Sequence, residues 1–166
     1  GTRNKIHYSV VDFGQGRTSN LHLCHHKEHS TELEQIHECP VHHPAGDAIA
    51  RQVQKLLRDR NVPMATPDST TPGLKSILIR TVGSGDQSHV VLIATSDRIS
   101  ELRGAEHSIL KIPGVAGVHL NIQTDAKSTY IGRDTKCLAG EPRLVEHVGG
   151  VEFHVSPDAF FQTSAY

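Results

Sequence analysis

LKSILIRTV at residues 74–82 and HVVLIAT at residues 89–95 decide the fold. Both are runs of branched aliphatic residues at strand length. The segment between them, GSGDQS at 83–88, carries two glycines. The three pieces read as a β-hairpin with a glycine-containing loop. The second strand is nearly all apolar, as expected of a strand in the centre of a sheet.

Working outward from this hairpin, the preceding segment predicts a helix over 47–60. Ile49, Val53, Leu56 and Leu57 fall at i, i+4, i+7 and i+8 and form one apolar stripe. Asp47 is the expected N-cap, and Pro63 stops the pattern. Residues 63–73 hold three prolines and read as a loop. On the other side, 97–110 predicts a second helix with Ile99, Leu102 and Ile109 inward and Pro113 beyond its end. A strand follows, where Val118, Leu120 and Ile122 alternate with His119, Asn121 and Gln123.

At the amino end, Ile6, Tyr8 and Val10 alternate with His7 and Ser9 in a strand over 5–13. Gly14-Gln15-Gly16 breaks it, and Leu21-His22-Leu23 reads as the returning strand. Residues 25–45 are polar and histidine-rich without a period, and read as irregular. At the carboxyl end, Tyr130-Ile131-Gly132, 143–147 and 151–155 are short strand-like pieces split by glycines. The expected architecture is α+β: an antiparallel sheet covered on one face by two helices, with a small C-terminal β-meander.

Composition limits the function classes. The chain has 166 residues, 36% hydrophobic and 21% charged, with no Trp and one Met. A core of Val, Ile, Leu and Ala is expected, enough for one domain. The formal charge of −1, with 13 histidines counted as neutral, gives no support by itself for nucleic-acid binding. No apolar run reaches the length of a membrane span. The start, GTRNKIHY, has no signal-peptide core. Cys24, Cys39 and Cys137 are odd in number and widely spaced, so a reducing cytosol is expected.

Two constellations are candidates for chemistry. Histidine and cysteine are dense over residues 22–43, with Cys24, His25, His29 and Cys39 as the candidate zinc ligands. Their spacing matches no standard zinc motif, and a solvated histidine-rich surface loop is the preferred reading. The glycines at 83–85 and 149–150 lack the strand-to-helix context of a phosphate loop and read as turns. Cys137 reads as a small buried hydrophobe.

Three segments carry a resemblance. VGGVEFHVSPDAFFQT at 148–163 resembles the lead into the catalytic domain of RNA (uracil-5-)-methyltransferases, where Ser-Pro and two bulky residues precede Phe-Gln. TRNKIHYSV at 2–10 resembles their Arg-Asn-Lys strand, and ECPVHHP at 38–44 their Cys-Pro segment before a helix. The ILIR strand at 77–80 and GVHLNIQT at 117–124 follow in the family's order.

The resemblance implies transfer of a methyl group from S-adenosylmethionine to C5 of a uridine in tRNA or ribosomal RNA. It also implies that a cysteine adds to C6 and a general base removes the C5 proton. By resemblance Gln162 and Phe161 belong to the cofactor and uracil site, and Arg3, Lys5 and Arg80 face RNA. Phe160 is expected to plug a domain junction. The implied division is a central RNA-facing domain over 1–148, then 149–166 leading into a cofactor-binding domain that is missing here. None of the three cysteines sits in the family's nucleophile motif. Three N-terminal cysteines that bind an iron–sulfur cluster in some members are absent. This chain alone is therefore expected to be inactive, with RNA as its partner. The alternatives are a zinc-binding interaction module on 22–43, or a truncated non-catalytic RNA-binding paralogue.

Overall fold

A computed structural model describes residues 3–13, 20–66, 70–83, 85–125, 127–128 and 130–159. The strands are β1 (Lys5–Asp12), β2 (Leu21–His26), β3 (Leu33–Gln35), β4 (Leu74–Val82), β5 (Gln87–Ala94), β6 (Val115–Ile122), β7 (Asp134–Gly140), β8 (Leu144–Val148) and β9 (Val151–Val155). The helices are α1 (Pro44–Asp59) and α2 (Ala105–Leu110). Strands β1 to β7 form one sheet in the order β3-β2-β1-β4-β5-β6-β7, and β8 pairs with β9 as a separate hairpin.

The expected hairpin is present: β4 and β5 pair antiparallel at the centre of the sheet. Its strands are covered on both faces, which explains their lack of alternation. The sheet is mixed, because β5 and β6 run parallel. Parallel neighbours need a long crossover, and the segment carrying α2 provides it.

Both helices cover one face. Ile49, Val53 and Leu57 of α1 and Ile99, Leu102 and Ile109 around α2 are buried against Ile6, Ile79, Leu92 and Val118 of the sheet. Leu56, at the rim of the α1 stripe, is only partly buried. The amino end of α1 presses close to the sheet at Gly46, where a Cβ would come within 2.8 Å of the Ile6 Cδ1 methyl.

The details differ from sequence expectation at four places. Helix α1 begins at Pro44, and its cap is His43, whose Nδ1 accepts from Ala45 N at 3.2 Å. Asp47 lies in the first turn instead, with its carboxylate turned to a neighbouring cluster. The second helical segment is broken: a 3-10 turn over Ser100–Leu102 is separated from α2 by Gly104 in a left-handed conformation, φ 73°. Residues 25–45 contain β3, and Asp134–Gly140 forms the edge strand β7. Of the expected meander, 143–147 and 151–155 form the two-stranded β8–β9 hairpin while Tyr130-Ile131-Gly132 is not a strand; the hairpin lies on the sheet face away from the helices, against β4 and β5. Among the described residues no helix is long and apolar enough to cross a membrane.

Candidate functional site

Strand register lines up chemistry on the helix-free face. Lys5 pairs with Arg80, Arg80 with His89, and His89 with Gly117. Directly paired residues share a face. Three basic side chains therefore form one row across β1, β4 and β5. The next row runs His7, Leu78, Val91, His119 and Cys137.

The row supports two stretches of backbone. After β7 the chain crosses β6 at Glu141, whose carbonyl accepts from His89 Nε2 at 2.8 Å. That approach requires Gly117: a Cβ there would overlap the Glu141 carbonyl and touch the His89 ring at 2.9 Å. After β9 the chain makes a turn over 156–159, closed by Ala159 N donating to Ser156 O at 3.2 Å. Lys5 Nζ donates to Asp158 O at 3.3 Å and to Ala159 O at 3.5 Å. Arg80 Nε donates to Pro157 O at 3.4 Å, and its Nη2 donates to Ala159 O. The hairpin is latched at its other end, where Glu146 Oε2 accepts from Gly83 N at 2.9 Å.

Burial sets the electrostatics of this layer. Arg80 is 1% exposed. Burial lowers its pKa, and the Asp158 carboxylate opposes that shift. Lys5 is lowered first by burial and then by Arg80, again against Asp158. His89 is pushed down to about 4, mainly by burial, with His119 and Arg80 adding to it. His119 is also lowered by burial, and the two rings stand 4.3 Å apart. Neutral His89 must carry its proton on Nε2, since that atom faces a carbonyl. Its Nδ1, like His119 Nε2, is buried without a hydrogen-bond partner.

A second polar cluster lies on the helix side at the start of α1. His42 Nδ1 is 2.8 Å from Asp47 Oδ1 and 3.2 Å from the Tyr8 hydroxyl, which also donates to Asp47. His25 packs on both rings at 5.0 Å. Burial, with His42 and Arg3 beside it, brings the His25 pKa down to about 4. Burial and the bond to Asp47 raise the Tyr8 pKa.

Of the residues expected at sites, the structure brings Lys5 and Arg80 together and places the other described ones apart from them. Arg3 is exposed, its backbone bridged to His42 through bonds to Val41 and His43. Lys5 is half-buried in the row. Arg80, expected at a phosphate, is buried, and its bonds to Pro157 and Ala159 turn it toward the chain's own carbonyls. Phe160, Phe161 and Gln162 lie outside the described residues. Cys24 is fully buried in β2, and burial raises its pKa. His25 is committed to the Tyr8 cluster, and His29 is exposed in a turn. Among the described residues no group of three or more His, Cys, Asp or Glu side chains is arranged to hold a metal ion. Cys137 is half-buried, its Sγ near the carbonyls of Ala139 and Gly140. His89 and His119 were not singled out from the sequence. Their signal was a polar residue inside an apolar strand.

No family model matches the chain. Curated proteins do. An uncharacterized RNA methyltransferase of Lactiplantibacillus plantarum is 30% identical over 165 residues, covering 96% of this chain and 33% of that protein. One from Nostoc sp. is 26% identical over 166 residues, covering 98% of this chain and 35% of that protein. The chain thus spans about a third of the length of the relatives it matches. Among solved structures, Pyrococcus abyssi tRNA (uracil-54, C5)-methyltransferase in complex with S-adenosyl-L-homocysteine shares the fold, with a TM-score of 0.74 and 15% identity, over 99% of this chain and 38% of that one. Over nearly its whole length the chain is similar to RNA methyltransferases, of which it spans about a third.

Proposed function

We propose that this chain is the central, RNA-facing part of an RNA (uracil-5-)-methyltransferase that modifies a uridine in tRNA or ribosomal RNA. The observation that carries the reading is the match of nearly the whole chain to RNA methyltransferases. The fold shared with a tRNA (uracil-54, C5)-methyltransferase and the Ser-Pro-x-x-Phe-Phe-Gln string at 156–162 favour the uracil-5 branch. Residues 1–148 are the central domain, and 149–166 lead toward the cofactor domain.

S-adenosylmethionine, when bound, supplies the methyl group. The Gln162 amide, which both donates and accepts, suits a polar base edge or the cofactor, and Phe161 is the bulky residue adjoining it in sequence. Arg3, exposed beside β1, is suited to a phosphate, and Lys5 follows two residues on, with its Nζ at the carbonyls of Asp158 and Ala159. Cys24 fits a nucleophile poorly. It is fully buried, with its thiol pKa raised, and reactive thiols are accessible with lowered pKa values. The role of this chain is then recognition and positioning, and alone it transfers no methyl group.

The test compares the 166-residue chain with its complete open reading frame, each given RNA and S-adenosylmethionine. Nucleoside mass spectrometry reads 5-methyluridine. The complete protein forms it, the chain alone does not, and Gln162→Ala in the complete protein loses most of it. Product from the chain alone, or full activity in Gln162→Ala, overturns the assignment.

A further inference from the structure

We infer that Arg80 is a positioning residue, whose buried guanidinium, aided by Lys5, fixes the turn at 156–159 and so sets where the chain enters residues 160–162. The catalytic consequence rests on the role proposed above for Gln162; the clamp itself does not.

An Arg in the middle of a sheet is costly to bury. Its neighbours along β4 include Ile77, Leu78 and Ile79, all buried, so an aliphatic side chain would suit the strand itself. The Lys5–Arg80 pairing adds to the cost. Like charges directly opposite on neighbouring strands repel, and these two face each other in register. The arrangement becomes favourable once the carbonyls of residues 157–159 sit over the pair. Four hydrogen bonds from two cations reach three successive carbonyls, and Ala159 O accepts from both. The Asp158 side chain adds a negative charge to the same turn. Internally the turn has the bond from Ala159 N to Ser156 O.

Apolar packing of the buried Pro157 fixes depth but leaves rotation free. A planar guanidinium bonding two carbonyls fixes direction as well. Residue 160 is attached directly to the carbonyl that both cations hold. Arg80 and Lys5 thus act on the segment through its backbone, and a Lys at position 80 keeps the charge but loses the fork.

Two measurements test this. Amide hydrogen exchange on the 166-residue chain compares wild type with Arg80→Lys, Arg80→Met and Lys5→Met. Exchange in peptides covering 151–166 should rise about tenfold or more in Arg80→Lys and several-fold in Lys5→Met, with β4 and β5 protection unchanged. In the complete open reading frame, Arg80→Lys should lower kcat for RNA methylation about 10- to 100-fold with little change in KM for RNA, as expected for misplacement of a catalytic segment. Arg80→Met should be at least as impaired. Should either position-80 variant unfold, Lys5→Met, at a half-buried site, decides. Wild-type exchange at 151–166 in the folded variants overturns the clamp. Faster exchange with unchanged kcat overturns its role in positioning. If the wild-type reading frame methylates no RNA, the proposed function falls, while the exchange result still decides the clamp.

Discussion

The two faces of the central sheet are held by different physics. On the helix side, Ile49, Val53 and Leu57 meet Ile6, Ile79, Leu92 and Val118, all buried. Such contacts are non-directional and tolerant of small shifts. On the other side, Lys5, Arg80 and His89 meet backbone carbonyls on either side of the β8–β9 hairpin. Contacts there depend on direction and protonation. The helix face confers stability, and the hairpin face confers placement.

The strongest contrast should come from truncating the helix face. Leu57→Ala removes a fully buried side chain and should cost about 2–5 kcal/mol in urea unfolding. Leu56→Ala, only partly buried, should cost clearly less. Equal losses would mean that the α1 stripe is rotated from the position described.

On the hairpin face, Gly117→Ala forces a Cβ into the Glu141 carbonyl and the His89 ring. A loss of up to about 3 kcal/mol is expected, read as a lower Tm. Insertion without loss would show that the crossing at Glu141 is looser than drawn.

Acid should act on the same face. His89 has its pKa depressed to about 4 in the folded chain, against roughly 6.5 when unfolded. The unfolded chain therefore binds the extra proton first. Stability is full above about pH 6.5 and falls as the pH drops toward 4. His89 alone should account for about 3 kcal/mol over that window. His119 and His25, also lowered, act in the same direction. His89→Phe should flatten the profile, and an unchanged profile would remove His89 from this role.

The smallest effect is expected at the polar exception on the helix face. Tyr8→Phe deletes the hydroxyl that meets His42 and Asp47 and should cost about 1 kcal/mol. A loss above that of Leu57→Ala would make this cluster a principal support of the helix face.

The same contrast governs what could be read from sequence. The helix face obeys periodicity, so β4, β5 and the α1 stripe were legible. The start of α1 was not, because the cap is a histidine while Asp47, the better capping type, is drawn to His42 and Tyr8. The second helix looked continuous because apolar spacing does not register the left-handed turn at Gly104. Strand β7 was hidden because an edge strand of half-buried residues shows no alternation. On the hairpin face, Lys5 and Arg80 were visible as charges, but register across β1, β4 and β5 sets what they touch. That register joins residues far apart in sequence, and no local pattern encodes it. His89 and His119 were concealed for the same reason.

The bond from Lys5 to the carbonyl of Ala159 spans a sequence separation of 154 residues. Contacts of such separation close the largest loops and tend to form late in folding. A chain emerging from the ribosome would complete β1, α1 and the central hairpin with the cationic row still uncovered. The row becomes neutral to its surroundings only when the last turn arrives. Until then Lys5 and Arg80 are open to solvent, counterions and any polyanion nearby, so the nascent chain presents more positive charge than the finished one.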